Sequence, residues 1–231
     1  MPTTMYPNQF CATAQAAVGL AIAEATRQDA DSKTLVGEYL RALYETLSHG
    51  HRCSRLMLAF AARLQDAVKG VIDPEAMAFG AFYHDVGKVC VPPEVLLAPR
   101  SLSPQEYKLI QAHTYHGRRI AELASSVVSQ PNPALGYLHA MAACHHERWD
   151  GTGYPNRLSA DDIPLTARMM AIVDTYDALR SSRAYKLGKS HEFACQVIER
   201  EIGNAFDPHI ARSFLAMSKS FVDLFPELAI N

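Results

Sequence analysis

The sequence lacks the cysteine spacing that a disulfide framework or a thiolate zinc site requires. Its five cysteines, at positions 11, 53, 90, 144 and 195, are odd in number, scattered, and never in a CxxC pair. Closely spaced, paired cysteines mark both kinds of site, so neither is expected. The scatter is instead typical of a protein from the reducing cytoplasm, and a cytoplasmic location is predicted.

A basic surface for nucleic acid is also missing. The 22 lysines and arginines are outnumbered by 24 aspartates and glutamates, for a formal net charge of -2. Binding to a DNA or RNA polymer usually needs clustered positive charge, so no such partner is expected. An anionic substrate would have to be attracted by local cations, and a bound metal ion is one source of them.

No segment is suited to a membrane. The N-terminal stretch "MPTTMYPNQFCATAQ" has no basic region of the kind that begins a signal peptide. The apolar stretch "AAVGLAIAEA" is too short to span a bilayer and contains Glu24. Residues of hydrophobic type make up 48% of the 231 residues, enough for the core of one domain, with or without a smaller appended unit.

Most of the chain has apolar residues three and four positions apart, which is the spacing of one helix face. The first helices are predicted at about 12–27, 33–48 and 52–69. Asp73 before Pro74, and Ser103 three residues before Glu106, have the pattern of helix N-termini. No segment alternates convincingly as a strand would. We therefore predict an all-α protein.

Potential metal ligands recur along these helices. Glu45 and His49 lie four residues apart and share one helix face. The other candidates, expected inside helices or at their ends, are His84, Asp85, His113, His145, His146 and Asp174. Taken singly, each has an ordinary structural explanation. Jointly, they predict a site built from the inward-facing side chains of several helices.

The adjacent pairs in this set indicate more than one ion. Neighbouring helix residues point about 100° apart, so His84 and Asp85 are poorly placed to chelate the same ion. Each pair could serve two neighbouring ions, with a carboxylate between them. Imidazole and carboxylate ligands without a thiolate suit iron or manganese, with nickel and zinc as alternatives. Two or three divalent ions are predicted.

Five segments together resemble the HD-GYP family, the cyclic di-GMP phosphodiesterases of the HD phosphohydrolase superfamily. They are "HDVGK" (84–88), "HTYHG" (113–117), "HHERWDGTGYP" (145–155), "IPLTARMMAIVDTYDALRSSRAYK" (163–186) and "GNAFDPHI" (203–210). Their order and spacing resemble the family pattern from about Tyr44 to Leu215. The resemblance implies a multi-helix HD-domain bundle with a GYP loop and a metal centre in its core, over residues 44–231. Residues 1–43 would form an N-terminal helical region of unknown role.

The resemblance also implies the ligand set. It comprises Glu45, His49, His84, Asp85, His113, His145, His146 and Asp174. His51 is an alternative to His49, but the glutamate four residues before His49 resembles the three-metal subset of the family and favours that pair. The family's usual serine, valine and proline are replaced here by Gly50, Cys53 and Ala184, and none of these changes removes a ligand.

The implied activity is metal-dependent hydrolysis of cyclic di-GMP to pGpG, with further cleavage to GMP left open. A hydroxide bridging the metals would attack the phosphate. Asp85 would bridge the ions and orient the hydroxide, and Lys88 would neutralise charge on the phosphate. Tyr154 would stack on a guanine base, while Arg183 and Lys186 would hold the phosphate that is not being cleaved.

Two alternatives remain open at this stage. One is a binding or docking module with little turnover, which would meet cyclic di-GMP or a protein partner through the GYP loop. The other is a hydrolase for a different nucleotide, including other cyclic dinucleotides. A homodimer is compatible with either. The complete set of costly buried charges favours the enzyme.

Overall fold

The computed structural model describes residues 9–26, 36–65, 72–181 and 187–222, and these are almost entirely helical. The helices are α1 (Gln9–Thr26), α2 (Val36–Gln65), α3 (Pro74–Tyr83), α4 (Pro93–Leu96), α5 (Pro104–Gln111), α6 (His113–Ser126), α7 (Pro133–Cys144), α8 (Leu165–Arg180), α9 (His191–Arg200), α10 (Pro208–Met217) and α11 (Lys219–Val222). Short 3-10 helices span Val86–Cys90 and Ala160–Asp162. These ranges contain no strand, only one isolated bridge between Ile202 and Phe206. The all-α prediction is confirmed.

The predicted helix starts are confirmed by the cap geometry. The Asp73 side chain accepts hydrogen bonds from two backbone N–H groups of the first turn of α3. Ser103 and Glu106 form a reciprocal capping box at the start of α5. Each contact satisfies backbone donors that a helix leaves without partners at its N-terminus.

The prediction of two separate helices at 33–48 and 52–69 is wrong, because α2 runs continuously through Gly50. A Cβ atom at Gly50 would lie 2.3 Å from the carbonyl oxygen of Phe82. The glycine therefore marks a close approach of α2 to α3 rather than a break between helices. This approach brings His49, on α2, beside the end of α3.

The segment after Ser103 has helical spacing of its apolar residues throughout, yet the structure divides it into two helices. It ends as α5 at Gln111 and resumes as α6 at His113, with Ala112 between them. His113 is consequently the first residue of a helix rather than an interior one. Its side chain projects from a helix end, like those of His84 and His145.

Two groups of buried apolar side chains hold the helices together. One lies among α2, α8, α9 and α10 and includes Phe60 and Phe214, whose ring centroids are 5.2 Å apart. The other lies among α1, α6 and α7 and includes Phe79 and Leu138. Helices α3 and α7 supply side chains to both groups. Their C-terminal ends, which carry four of the candidate ligands, are thus fixed from two sides.

Helix α1 packs against α6 and α7, and α2 begins at Val36, before the predicted boundary between residues 43 and 44. The division into an N-terminal region and a catalytic domain stays a prediction. Within the described ranges, none of the helices has the length and apolarity that crossing a bilayer would require.

Candidate metal centre and substrate cleft

Seven of the eight predicted metal ligands meet in one place. They come from the middle of α2, the end of α3, the start of α6, the end of α7 and the middle of α8: His49, His84, Asp85, His113, His145, His146 and Asp174. All are buried or half-buried. Among the described residues, groups of three of these side chains place ligand atoms within 4.8 Å of one another.

Asp85 lies between two groups of histidines. Its Oδ2 atom is 3.5 Å from Nε2 of His84 and 3.8 Å from Nε2 of His49. Its Oδ1 atom is 3.3 Å from Nε2 of His113 and 3.7 Å from Nε2 of His145. Each oxygen of this carboxylate therefore faces a different pair of imidazoles. This is the arrangement expected of a carboxylate shared by two ions.

The outer nitrogen of three of these rings is fixed by a backbone carbonyl three or four residues earlier in the chain. The Nδ1–H groups donate to backbone carbonyls: His84 to Ala81 at 2.7 Å, His113 to Ile110 at 2.5 Å, and His145 to Met141 at 2.8 Å. A proton on Nδ1 leaves the Nε2 lone pair directed inward, as metal ligation requires.

The inner atoms have too few protons to satisfy one another. The Nε2 atoms of His113 and His145 are 3.3 Å apart, as are those of His49 and His84. Asp85 Oδ1 is buried and has no hydrogen-bond partner among the described residues. Lone pairs and an ionised oxygen facing one another across such distances call for cations between them. The residues present therefore fit divalent metal ions.

The protonation of the cluster also suits metal binding. Burial lowers the pKa of His113 and His145 to about 4, and that of His146 to about 2. Burial opposes the charged form of Asp85, yet Lys88 and the neighbouring histidines hold the pKa of this carboxyl well below its usual range. Near neutral pH, these three imidazoles are therefore uncharged and lie beside an ionised carboxylate.

Sequence reasoning missed Asp177, which binds Nδ1 of His49, the ring nitrogen opposite the one that faces the other ligands. Its Oδ2 atom accepts a hydrogen bond of 2.7 Å from Nδ1 of His49, while Arg52 donates to both of its oxygens. Burial disfavours protonated His49, but Cys53, Asp174 and Asp177 raise its pKa well above the ordinary value. The available signal was the spacing: Asp177 follows Asp174 by three residues, and Arg52 follows His49 by three.

The GYP loop folds back onto the histidine pair. The Tyr154 N–H donates to the carbonyl of His146 at 3.2 Å, and the two rings stack with centroids 4.7 Å apart. A Cβ atom at Gly153 would lie 2.4 Å from the backbone nitrogen of Arg148 and 2.6 Å from Cα of Glu147. Only glycine permits this approach. One face of the Tyr154 ring is thus occupied by His146.

Glu147 and Arg148, although adjacent in the sequence, bind different partners. Glu147 is buried, and its two carboxylate oxygens accept from the N–H groups of Asn156 at 2.7 Å and Leu158 at 3.1 Å. Arg148 points elsewhere and pairs with Glu201 at 3.0 Å. Glu147 therefore holds the backbone that follows the GYP triplet by two hydrogen bonds, and the residues next to Glu147 in the sequence gave no indication of this role.

A cleft of about 790 Å³ opens beside the metal ligands. His146 and Asp174 lie in its wall together with Tyr154, so a ligand in the cleft can reach both the metal centre and the GYP loop. Tyr107 and Gln111 of α5 also line it and were missed by sequence reasoning. The sequence indicates them only weakly, by their spacing of four residues on one face of the helix just before His113.

The other predicted site residues have varied positions. Lys88 forms an ion pair with Asp85. Glu45 is exposed on α2 and belongs to none of the described ligand groups, so its role in a third metal site stays a prediction. His51, the alternative to His49, is exposed. Arg183 and Lys186 lie outside the described residues.

Comparison with known proteins identifies the same family. The family model described as "HD domain" matches residues 40–210. A probable cyclic di-GMP phosphodiesterase of Vibrio cholerae is 36% identical over 190 residues, which cover 80% of this chain and 43% of that protein. A 3'3'-cGAMP-specific phosphodiesterase 2 of Vibrio cholerae is 37% identical over 139 residues, 60% of this chain and 26% of that protein. The chain spans less than half the length of these curated relatives.

A solved structure of an HDG"Y"P protein from Bdellovibrio bacteriovorus is similar with a TM-score of 0.53 and 16% identity, covering 94% of this chain and 75% of that one. At this identity the likeness concerns the fold alone. The HD domain model covers most of the chain, and the histidine–aspartate and GYP motifs lie at one site. The chain therefore belongs to the HD domain family and is of the HD-GYP type.

Proposed function

We propose that this chain is a metal-dependent phosphodiesterase that hydrolyses cyclic di-GMP. The observation that carries the proposal is the buried Asp85 carboxylate, whose two oxygens face separate groups of imidazoles beside a substrate-sized cleft that His145, His146 and Asp174 line. Relatives named cyclic di-GMP phosphodiesterases support this substrate, while the relative named for 3'3'-cGAMP makes that dinucleotide the principal competitor.

Two metal positions fit the described ligands. His49, His84 and Asp174 would serve one ion, His113, His145 and His146 would serve the other, and Asp85 would bridge them. A third ion would require Glu45 beside His49. Mixed oxygen and imidazole ligands favour iron or manganese, with nickel and zinc as alternatives.

When bound, the ions would supply Lewis acidity toward the phosphate and activate water for its attack. The chain's own residues would orient the reaction. Asp85 would help to hold the ions and, being ionised, would accept a hydrogen bond from water beside the phosphate. Lys88 is held at Asp85 by their ion pair and is 25% exposed, so its ammonium can also meet a phosphate oxygen.

The cleft would hold the remainder of the dinucleotide. Its volume lies within the range of small-ligand sites. Tyr154 would offer a base the ring face that His146 does not cover. Arg183 and Lys186 are proposed to bind the phosphate that is not being cleaved, since a guanidinium and an ammonium both suit phosphate oxygens. A protein partner at the GYP loop is also compatible with this function, and so is a homodimer.

The first experiment is anaerobic incubation of protein loaded with ferrous or manganous ion with cyclic di-GMP and, separately, with 3'3'-cGAMP. We expect chromatography to show metal-dependent pGpG, or GMP, from cyclic di-GMP. Asp85→Ala and His49→Ala should abolish turnover, whereas His51→Ala, a change of an exposed neighbouring histidine, should retain it.

Faster cleavage of 3'3'-cGAMP would move the substrate assignment to that dinucleotide. Absence of turnover by fully loaded protein would contradict the enzyme and favour a binding or docking module. For the third ion, Glu45→Ala should lower the bound metal by about one ion per chain, as measured by elemental analysis. An unchanged metal content would leave two ions and remove Glu45 from the ligand set.

A further inference from the structure

Arg157 has an unusual backbone. Its φ is 56°, in the left-handed region, which side chains other than glycine rarely adopt because Cβ crowds the following carbonyl. It lies two residues after the GYP triplet. A residue of this kind in a left-handed conformation persists only where its surroundings impose it, and such residues concentrate at functional sites.

Hydrogen bonds to Glu147 hold the backbone on both sides of Arg157. The buried carboxylate of Glu147 accepts from the N–H of Asn156 on one side of Arg157 and from the N–H of Leu158 on the other. The two hydrogen bonds, 2.7 and 3.1 Å long, clamp the backbone around one residue. The position of Arg157 is therefore fixed by the same glutamate that follows the histidine pair.

The Arg157 side chain is exposed and lines the cleft next to the metal centre. The other arginine in the cleft wall, Arg148, is neutralised by Asp150 at 3.3 Å and by Glu201 at 3.0 Å. Arg157 has no hydrogen bond or ion pair to any described residue. Of the two arginines, it is therefore the one whose guanidinium is available to a ligand.

We propose that Arg157 supplies a further guanidinium to the phosphodiester of the cyclic dinucleotide that is not at the metal centre. A planar guanidinium matches two phosphate oxygens with parallel hydrogen bonds. An ordinary surface arginine does not need a strained and restrained backbone. A fixed backbone does help an arginine that must direct its guanidinium toward a ligand in the cleft. This inference rests on the proposed function and adds a residue to substrate binding.

The test compares steady-state kinetics with two substrates. Cyclic di-GMP has a second phosphodiester, whereas bis(p-nitrophenyl) phosphate has a single one, which must sit at the metal centre. Arg157→Ala should raise KM for cyclic di-GMP about 10-fold, with kcat and metal content nearly unchanged. The same variant should leave KM for bis(p-nitrophenyl) phosphate within about twofold of wild type. Arg212→Ala, which changes an exposed arginine on α10, is the matched control and should have no effect.

Charge-keeping and neutral variants identify the contact. Arg157→Lys should recover most of the affinity for cyclic di-GMP, and Arg157→Gln should not, since a phosphate requires positive charge. Recovery by glutamine instead of lysine would place Arg157 at a base edge and overturn the phosphate assignment. An unchanged KM for cyclic di-GMP in Arg157→Ala would overturn the proposal altogether. Failure of wild-type protein to cleave cyclic di-GMP, with cleavage of bis(p-nitrophenyl) phosphate retained, would instead contradict the proposed function, and with it the inference.

Discussion

Replacing Asp177 by asparagine should weaken metal binding without touching a metal ligand. Asp177 is 1% exposed, and its two oxygens accept four hydrogen bonds. The donors are Nδ1 of His49 at 2.7 Å, Nε and one terminal nitrogen of Arg52 at 2.6 and 3.0 Å, and Oγ of Ser181 at 3.2 Å. Asparagine has a single acceptor oxygen. Whichever way its amide is turned, the NH₂ group faces at least one of these donors.

The magnitude follows from what is lost. A hydrogen bond to a charged group contributes about 1.5–3 kcal/mol, so Asp177→Asn should reduce the free energy of unfolding by roughly that amount. His49 also loses the carboxylate that orients its ring and makes Nε2 a better ligand. Loss of such a partner behind a metal-binding histidine typically lowers metal affinity about 10- to 100-fold, or roughly 1.4–2.8 kcal/mol.

The affinity should be measured by competition with a chelator, and stability by urea unfolding of metal-free protein. Asp161→Asn is the control: this aspartate also pairs with an arginine, Arg168, but its side chain is 87% exposed and away from the ligands. It should change neither quantity appreciably. A metal affinity for Asp177→Asn within twofold of wild type would refute the positioning role, whatever its stability.

Three further expectations concern the supports of the site. Gly87→Ala would bring Cβ to 2.0 Å from the carbonyl oxygen of His113 and 2.4 Å from the nitrogen of Gly117. Because both are backbone atoms, which cannot move aside easily, urea unfolding should show a free energy of unfolding lower by about 3 kcal/mol. Gly136→Ala is the control: it is a helical position with no neighbouring atom within 4 Å of the new Cβ, so it should be neutral or stabilising. An equal response of the two would contradict the close packing. Glu147→Gln leaves the N–H of Asn156 or Leu158 facing an amide NH₂ group. This change should lower the free energy of unfolding by about 1.5–3 kcal/mol and speed proteolysis within residues 150–160. An unchanged cleavage rate would contradict the role of Glu147 in holding the loop. In metal-free protein, burial keeps His113 and His145 uncharged down to a pKa of about 4, while the unfolded chain binds protons below about pH 6.5. The free energy of unfolding should therefore fall as the pH drops from 6.5 toward 4, by up to about 1.4 kcal/mol per pH unit for each of the two. The raised pKa of His49 does not alter this slope, because its contribution to stability is complete below about pH 6.5 and is lost only as the pH rises above that value. Stability that is constant or rises from pH 7 to pH 5 would be inconsistent with buried neutral imidazoles.

Local features of the fold could be predicted from sequence because their causes are local. The caps at Asp73 and Ser103 involve side chains within three residues of the backbone groups they satisfy. The continuity of α2 through Gly50 could not be predicted, since the glycine is required by a backbone carbonyl of another helix. The division at Ala112 is likewise invisible in a pattern that stays helical on both sides.

The same distinction applies to the site. The candidate ligands could be named because histidine and aspartate are costly to bury, and motifs with a known family pattern contain them. Asp177 is 128 positions from His49, so its contact exists only in the folded chain. The Glu147 carboxylate spans a shorter interval, nine and eleven residues, but its partners are backbone amides, which leave no mark in the sequence.

The Nδ1–H groups of His84 and His145 bind carbonyls of their own helices, and that of His113 binds a carbonyl at the end of the preceding helix α5, so the orientation of these rings is set by the fold. These three rings lose their rotational freedom when the helices form, before any ion arrives. The entropy of ordering them is thus a cost of folding and not of binding. Since fixed rings have little room to adjust, discrimination between ions should depend on how well each ionic radius matches a spacing that the helices have already set.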